Sequence, residues 1–162
     1  MGVALRGRTA ADLPALLALL QRTHEQEGYP VRAAAVSADW LADPVELGGW
    51  VAADAQVRGH VALHPPKGPA LALWQQGAGT NALAVVSRLF TDRAVRGTGT
   101  ALLGHAVAQA VAQQRTAVLE VDVLSPALGF YLRRGWRDAG RCVQQWGHRT
   151  VDVAALVQPQ HA

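Results

Sequence analysis

The stretch RLFTDRAVRGTGTALLGHAVAQA, residues 88 to 110, constrains this chain more than any other. Its start belongs to an apolar, strand-like run from Leu83 to Thr91, and its end carries Leu102, Leu103, Ala106, Val107, Ala110 and Val111 in pairs four residues apart. Such pairs put one apolar face on a helix, predicted over Ala101 to Gln114, and that face packs on a sheet. A second strand, Ala117 to Val123, follows at once. Strand, helix and strand in this order make a crossover with its two strands parallel, which places the chain among the α/β folds.

Between strand and helix lies RGTGTA, Arg96 to Ala101. The first N–H groups of a helix have no partner inside it and carry the positive end of its dipole, so an anion there accepts several hydrogen bonds. Gly97 and Gly99 let a ligand approach the backbone, and the arginines beside them favour negative charge. The alternative is a tight strand-to-helix turn with solvated side chains. Two familiar phosphate loops do not fit. A nucleotide-hydrolysing loop needs Lys then Ser or Thr after its second glycine, whereas Gly99 is followed by Thr100-Ala101 and the only lysine is Lys67. The dinucleotide fingerprint needs a third glycine where Leu102 stands.

The rest of the chain supplies a sheet for this crossover. Val3 to Arg8 reads as a strand, followed by a helix capped at Thr9 that carries Leu13, Leu16, Leu17 and Leu20 and stops at Gly28-Tyr29-Pro30. Ser37 caps a second short helix. Gly48 to Ala53 and Val57 to Leu63 form an antiparallel hairpin, and Ala70 to Gln76 is open between a short helix and a strand. Ser125-Pro126 opens a helix through Arg134, and Cys142 to Trp146 with Thr150 to Leu156 closes the sheet as a hairpin turning at Gly147-His148. No repeat or linker divides residues 1–162, so one domain is expected.

Arg96-x-x-Gly99-x-Ala101 resembles the R/Q-x-x-G-x-G/A loop of the GNAT superfamily of N-acetyltransferases. Leu119-Glu-Val121 followed by Ser125-Pro-Ala127 and Phe130-Tyr-Leu-Arg-Arg-Gly-Trp136 is similar to that family's second motif, LEV…N-x-x-A-x-x-x-Y-x-x-x-G-F. The resemblance is firm from about Leu83 to Trp136 and extends elsewhere only as element order. It implies a mixed, mostly antiparallel twisted sheet of about seven strands with about four helices, and central parallel strands that splay apart. It also implies acetyl-CoA as co-substrate. Arg96, Gly97, Thr98, Gly99, Thr100, Ala101 and Leu102 would hold the diphosphate. The backbone of Leu89, Phe90 and Thr91 would hold the pantetheine arm and place an N–H on the thioester carbonyl.

The function implied is transfer of an acetyl group to a primary amine, of an unidentified small molecule or a protein N-terminus, by direct attack. Tyr131 stands at the family's general-acid position, and a phenol with an ordinary pKa of ~10 stays protonated at rest. Glu120, the glutamate of the LEV motif, is the candidate base, since an amine must lose a proton before it attacks. Asp122 shares its face of the strand. Ser125 stands where the family often has asparagine, and a serine reaches less far toward a cofactor. A non-catalytic domain that senses acyl-CoA is the rival. Homodimerisation through the C-terminal strands is common in the family and is expected here on that ground.

Charge and cysteine usage exclude other classes. The net charge is +3, and the 14 arginines are scattered, with Arg133-Arg134 as the only adjacent pair, so no nucleic-acid stripe forms. One cysteine, Cys142, cannot form an internal disulfide, and the N-terminus has no apolar run before a cleavage site, which favours the cytosol. No apolar run reaches the ~18 residues of a membrane span. His60 and His64 share a face of their strand and either line an acceptor pocket or serve structure; no third ligand suggests a metal. His105 is expected at the surface of its helix. Trp40, Trp50 and Trp74 are candidate walls of an acceptor pocket, with core packing the better reading for at least one.

Overall fold

Strands form where β-branched and apolar residues alternate, and helices start at residues that satisfy or need no N–H bond. The computed structural model describes residues 2–30 and 35–160. Among these are seven strands, β1 (Ala4–Gly7), β2 (Gly48–Ala53), β3 (Val57–His64), β4 (Leu83–Thr91), β5 (Thr116–Asp122), β6 (Arg137–Trp146) and β7 (Arg149–Val157). They make one sheet in the order β1-β2-β3-β4-β5-β7-β6. β4 and β5 are parallel, joined at Leu83–Thr116, Ala84–Ala117 and Val85–Val118, and the pairs β1-β2, β2-β3, β5-β7 and β6-β7 are antiparallel. This is the mixed, mostly antiparallel sheet that the sequence implies. The helices are α1 (Leu13–Glu27), α2 (Ala38–Leu41), α3 (Leu71–Ala78), α4 (Thr98–Ala112) and α5 (Pro126–Arg133). None is long and apolar enough to cross a membrane.

The chain divides into two compact units, one of Met1–His64 with Val86–Ala106 and the other of Pro65–Val85 with Val107–Ala162. β4 and α4 each contribute to both. In the first unit α1 follows a single 3-10 turn at Ala10–Asp12, where the Asp12 carboxylate accepts the Thr9 backbone N–H at 2.8 Å. Arg6 grips the same carboxylate with two bonds of 2.8 Å and holds it far below the usual carboxylate range. Leu16, Leu19 and Leu20 of α1 meet Leu41, Val51 and Phe90 in an apolar core. The start of α4 rests on β3 at Gly59. A Cβ there would lie 2.8 Å from Leu102 Cδ1, 3.1 Å from Thr98 Cγ2 and 3.1 Å from the Phe90 carbonyl oxygen.

In the second unit the ambiguous segment is a helix. α3 ends at Gly79, whose φ of +70° is the left-handed stop that favours glycine. Trp74, 1% exposed, decides the matter: its indole N–H donates to the Leu119 carbonyl at 3.0 Å while its rings join Leu83, Val118, Ala155 and Val157. A buried indole with its one donor satisfied anchors a helix that propensity alone leaves undecided. β6 starts five residues before the predicted Cys142, and a register shift between Asp138 and Gly140 absorbs the irregularity. The hairpin turns at Gly147, φ +63°, as its sequence predicts.

Candidate active site

In the first unit, α4 begins at Thr98, three residues before its predicted start, and Thr98 to Thr100 are therefore the first turn of the helix. Thr98 is buried, 1% exposed, and its hydroxyl donates to the Val95 carbonyl at 3.3 Å. Gly97 has φ +82°, a conformation that needs glycine, and its carbonyl accepts the Ala101 N–H at 3.1 Å to open the helix. Gly99 needs glycine for neither reason. Its φ is ordinary for the helix, and an added Cβ would meet only Thr91 Cγ2, at 3.8 Å. Among the described residues nothing demands a bare backbone at 99.

The loop before the helix is pinned by Asp92. Its carboxylate accepts the Ala94 N–H at 3.0 Å and Arg58 at 2.9 Å, contacts that lower its pKa. Arg93 pairs with Glu27, whereas Arg96 is exposed and forms no ion pair among the described residues. Phe90, Thr98 and Leu102 bury their side chains, so only their backbones can serve an anionic ligand. Leu89, Thr91 and Ala101 are half-buried and Thr100 is exposed. Of the residues read as cofactor-binding, Thr98 to Leu102 form the start of α4 and Leu89 to Thr91 the end of β4, with little side-chain charge among them, whereas Ser125 belongs to the second unit.

Just upstream, within β4, Arg88 has φ +49°, an uncommon conformation for a non-glycine residue. His60 holds it. The Arg8 guanidinium is a donor only, so His60 Nε2 accepts from it at 2.9 Å and the ring proton sits on Nδ1, donating to the Arg88 carbonyl at 2.9 Å. The ring is fully buried, stacks on Phe90 at 5.3 Å, and burial pushes its pKa down to about 4. Arg8 also pairs with Glu46, and Arg88 lies over the Trp40 ring at 4.5 Å and donates to the Trp40 carbonyl. His60 therefore serves structure. His64 is buried as well, its Nδ1 2.5 Å from the Ser87 hydroxyl oxygen. His105, expected at the surface, is half-buried edge-on to Trp50 with ring centroids 5.5 Å apart.

In the second unit, Ser125 caps α5 by accepting the Ala127 N–H at 3.1 Å, with Pro126 at the first helical position. Tyr131 follows on that helix between Phe130 and Trp136, whose rings meet it edge-on at 5.3 and 5.9 Å. Burial pushes its phenol up to about 12, so it is protonated throughout the neutral range. The two acids of β5 separate in role. Asp122 accepts the Leu124 N–H at 2.8 Å and pairs with Arg149 at 3.2 Å, a structural carboxylate. Among the described residues Glu120 meets no cation: burial raises its pKa, and its one side-chain partner there is the Gln144 amide, 2.5 Å from Oε2, which draws it back down. Cys142 is half-buried beside them, 3.9 Å from the same amide. Trp74 is core rather than pocket wall. Among the described residues no three His, Cys, Asp or Glu side chains gather as metal ligands would.

No protein-family model and no curated protein matches the chain. Solved structures do. A ribosomal-protein-alanine N-acetyltransferase from Brucella melitensis is 20% identical, with TM-score 0.73 over 97% of this chain and 99% of its own. An Arabidopsis thaliana NAA60 structure in complex with acetyl-CoA is 17% identical, with TM-score 0.72 over 98% and 99%. A Staphylococcus aureus N-acetyltransferase is 16% identical, with TM-score 0.72 over 98% and 99%. The chain has the GNAT fold. Within it lie the glycine-led start of α4 and the Glu120 and Tyr131 side chains described above. The sequence motifs pointed to both; the His60 prop under Arg88 and the Gln144 contact to Glu120 they did not.

Proposed function

We propose that this chain is an acetyl-CoA-dependent N-acetyltransferase, working as one domain on a primary amine of a small molecule or a protein N-terminus. The observation that carries the reading is Gly99: it stands in the first turn of α4, with neither φ nor packing to require a glycine, in a GNAT fold. Bare backbone at a helix N-terminus suits the diphosphate of coenzyme A. Gly97 to Leu102 would hold it through backbone N–H groups, and Leu89 to Thr91 would offer theirs to the pantetheine arm. Acetyl-CoA supplies the activated acyl group when bound.

The chain's own groups supply the proton movements. Glu120 takes a proton from the ammonium form of the acceptor, and its raised pKa makes it a better base than a solvated carboxylate. Tyr131 keeps its proton at neutral pH and offers it to the departing sulfur. Ser125, held by its cap bond, contributes its position at the head of α5 and a hydroxyl proton. A cytosolic location and a homodimer belong to the same reading, the latter tested by light scattering.

Thermal shift with acetyl-CoA, coenzyme A, NAD and ATP tests it: stabilisation by the two coenzyme A species alone is expected, and none by either refutes the reading. Thiol release against diamines, amino sugars, amino acids and peptides with free N-termini then separates an enzyme from a sensor. A flat response across that panel favours the sensor.

A further inference from the structure

Glu120 does not stand alone. Its Oε2 accepts from Gln144 Nε2, and Gln144 Oε1 in turn accepts the indole N–H of Trp146 at 2.8 Å. The three side chains come from β5 and β6, whose shared neighbour β7 sets their spacing: Glu120 lies opposite Ala155, and Gln144 opposite Val151. The chemistry of the set has one solution. An indole N–H donates and never accepts, so the amide of Gln144 must turn its oxygen to Trp146 and its NH2 to Glu120. An NH2 donor satisfies an ionised carboxylate oxygen, whereas the flipped amide would present its carbonyl and favour a protonated one. Glu120 Oε1 has no hydrogen bond among the described residues.

We propose that Gln144, locked by Trp146, is a positioning residue that ties down one oxygen of Glu120 and leaves the other to receive the proton of the acceptor amine. The inference rests on the reading of Glu120 as base. In the step concerned the ammonium N–H bond breaks, its electron pair stays on nitrogen, and the proton bonds to Glu120 Oε1. Other groups do not duplicate the relay. On β5 the Asp122 charge is paired with Arg149 of β7; β6 adds the Cys142 thiol and the Asp138–Arg141 pair, β7 adds Asp152, and α5 adds Tyr131 and Arg133. α3 carries no titratable side chain.

The chain has four glutamates, so side-chain carboxyl carbon NMR of selectively labelled protein follows each one, with Glu120→Gln assigning the signal. In Gln144→Leu the Glu120 titration is expected to move upward by about one pH unit, the loss of one charge-assisted bond. Trp146→Phe, which keeps an aromatic ring and removes the indole N–H, is expected to move it in the same direction by less. With the best acceptor of the amine panel, the acid limb of kcat/KM should move with the NMR titration while the KM for acetyl-CoA stays. An unmoved titration in both variants overturns the proposal, and so does a shift in Gln144→Leu with none in Trp146→Phe. Should Gln144→Leu fail to fold, Trp146→Phe alone decides. A Glu120→Gln enzyme with full turnover refutes the base reading, a different failure from an unmoved titration.

Discussion

The two units place their candidate groups in different surroundings. The first carries its charges in pairs, Arg6 with Asp12, Arg8 with Glu46 and Arg58 with Asp54 and Asp92, and its candidate ligand groups are backbone N–H groups. The second leaves Glu120 and Tyr131 without a counter-charge, both displaced by burial in favour of their protonated forms. Holding an anion and moving a proton require different materials. A helix N-terminus is a fixed partial charge that no pH titrates, whereas a carboxyl or phenol is useful because its environment tunes it.

The contrast breaks most visibly at Tyr131. Tyr131→Phe should lower turnover by about 10²–10⁴-fold, the span of a general acid, and leave acetyl-CoA affinity unchanged in calorimetry. Equal turnover would remove Tyr131 from that role and leave Glu120 as the second unit's one proton carrier in the proposed scheme.

The next largest effect concerns stability in the first unit. His60 titrates at about 4 in the folded chain, below the ~6.5 of an unfolded one. As pH falls the unfolded chain takes up the proton first, so stability present above pH ~6.5 is lost down to about 4, amounting to about 3 kcal/mol. Urea unfolding across that window should show the loss. His60→Gln should flatten it while costing stability at pH 7 through the lost stack on Phe90; an unchanged slope would mean that another group titrates.

Gly99→Ala sharpens the backbone side. Its methyl fits the chain, so the melting temperature should hold or rise, yet coenzyme A should bind about tenfold more weakly, ~1.4 kcal/mol. Unaltered affinity would mean that no ligand approaches there. Smallest is Arg96→Ala, exposed and without an ion pair among the described residues, expected to change affinity by less than about threefold at moderate salt.

The order of strands and helices was legible because the period-two and period-four patterns are strong. Leu83 to Thr91 matched its strand at both ends. The segment at Ala70 was not decidable, since Leu71 to Gln76 carries no charge to mark a solvent face and the Trp74 bond to Leu119 is a tertiary event. The early start of α4 escaped for a related reason: Gly and Thr are poor helix formers, and burial of Thr98 against β3 overrides them. At the candidate site the motifs named Tyr131 and Glu120. They were silent on what stands beside Glu120, because Gln144 reaches it across a strand that comes later in the chain. The positive φ of Arg88 left no local signature, as arginine is no turn residue.

Gly59 touches no ligand in the proposed scheme, yet the beginning of α4 and the carbonyl of Phe90 both lean on its missing side chain. One added carbon there would press on the helix and on the strand at the same moment. The direction in which the helix presents its N–H groups is thus set from behind, by a mount that an inventory of binding residues would never include. A smaller Leu102 would relieve only part of that pressure, because the Phe90 carbonyl and Thr98 would still stand in the way, so a side chain at 59 asks both the helix and the strand to give.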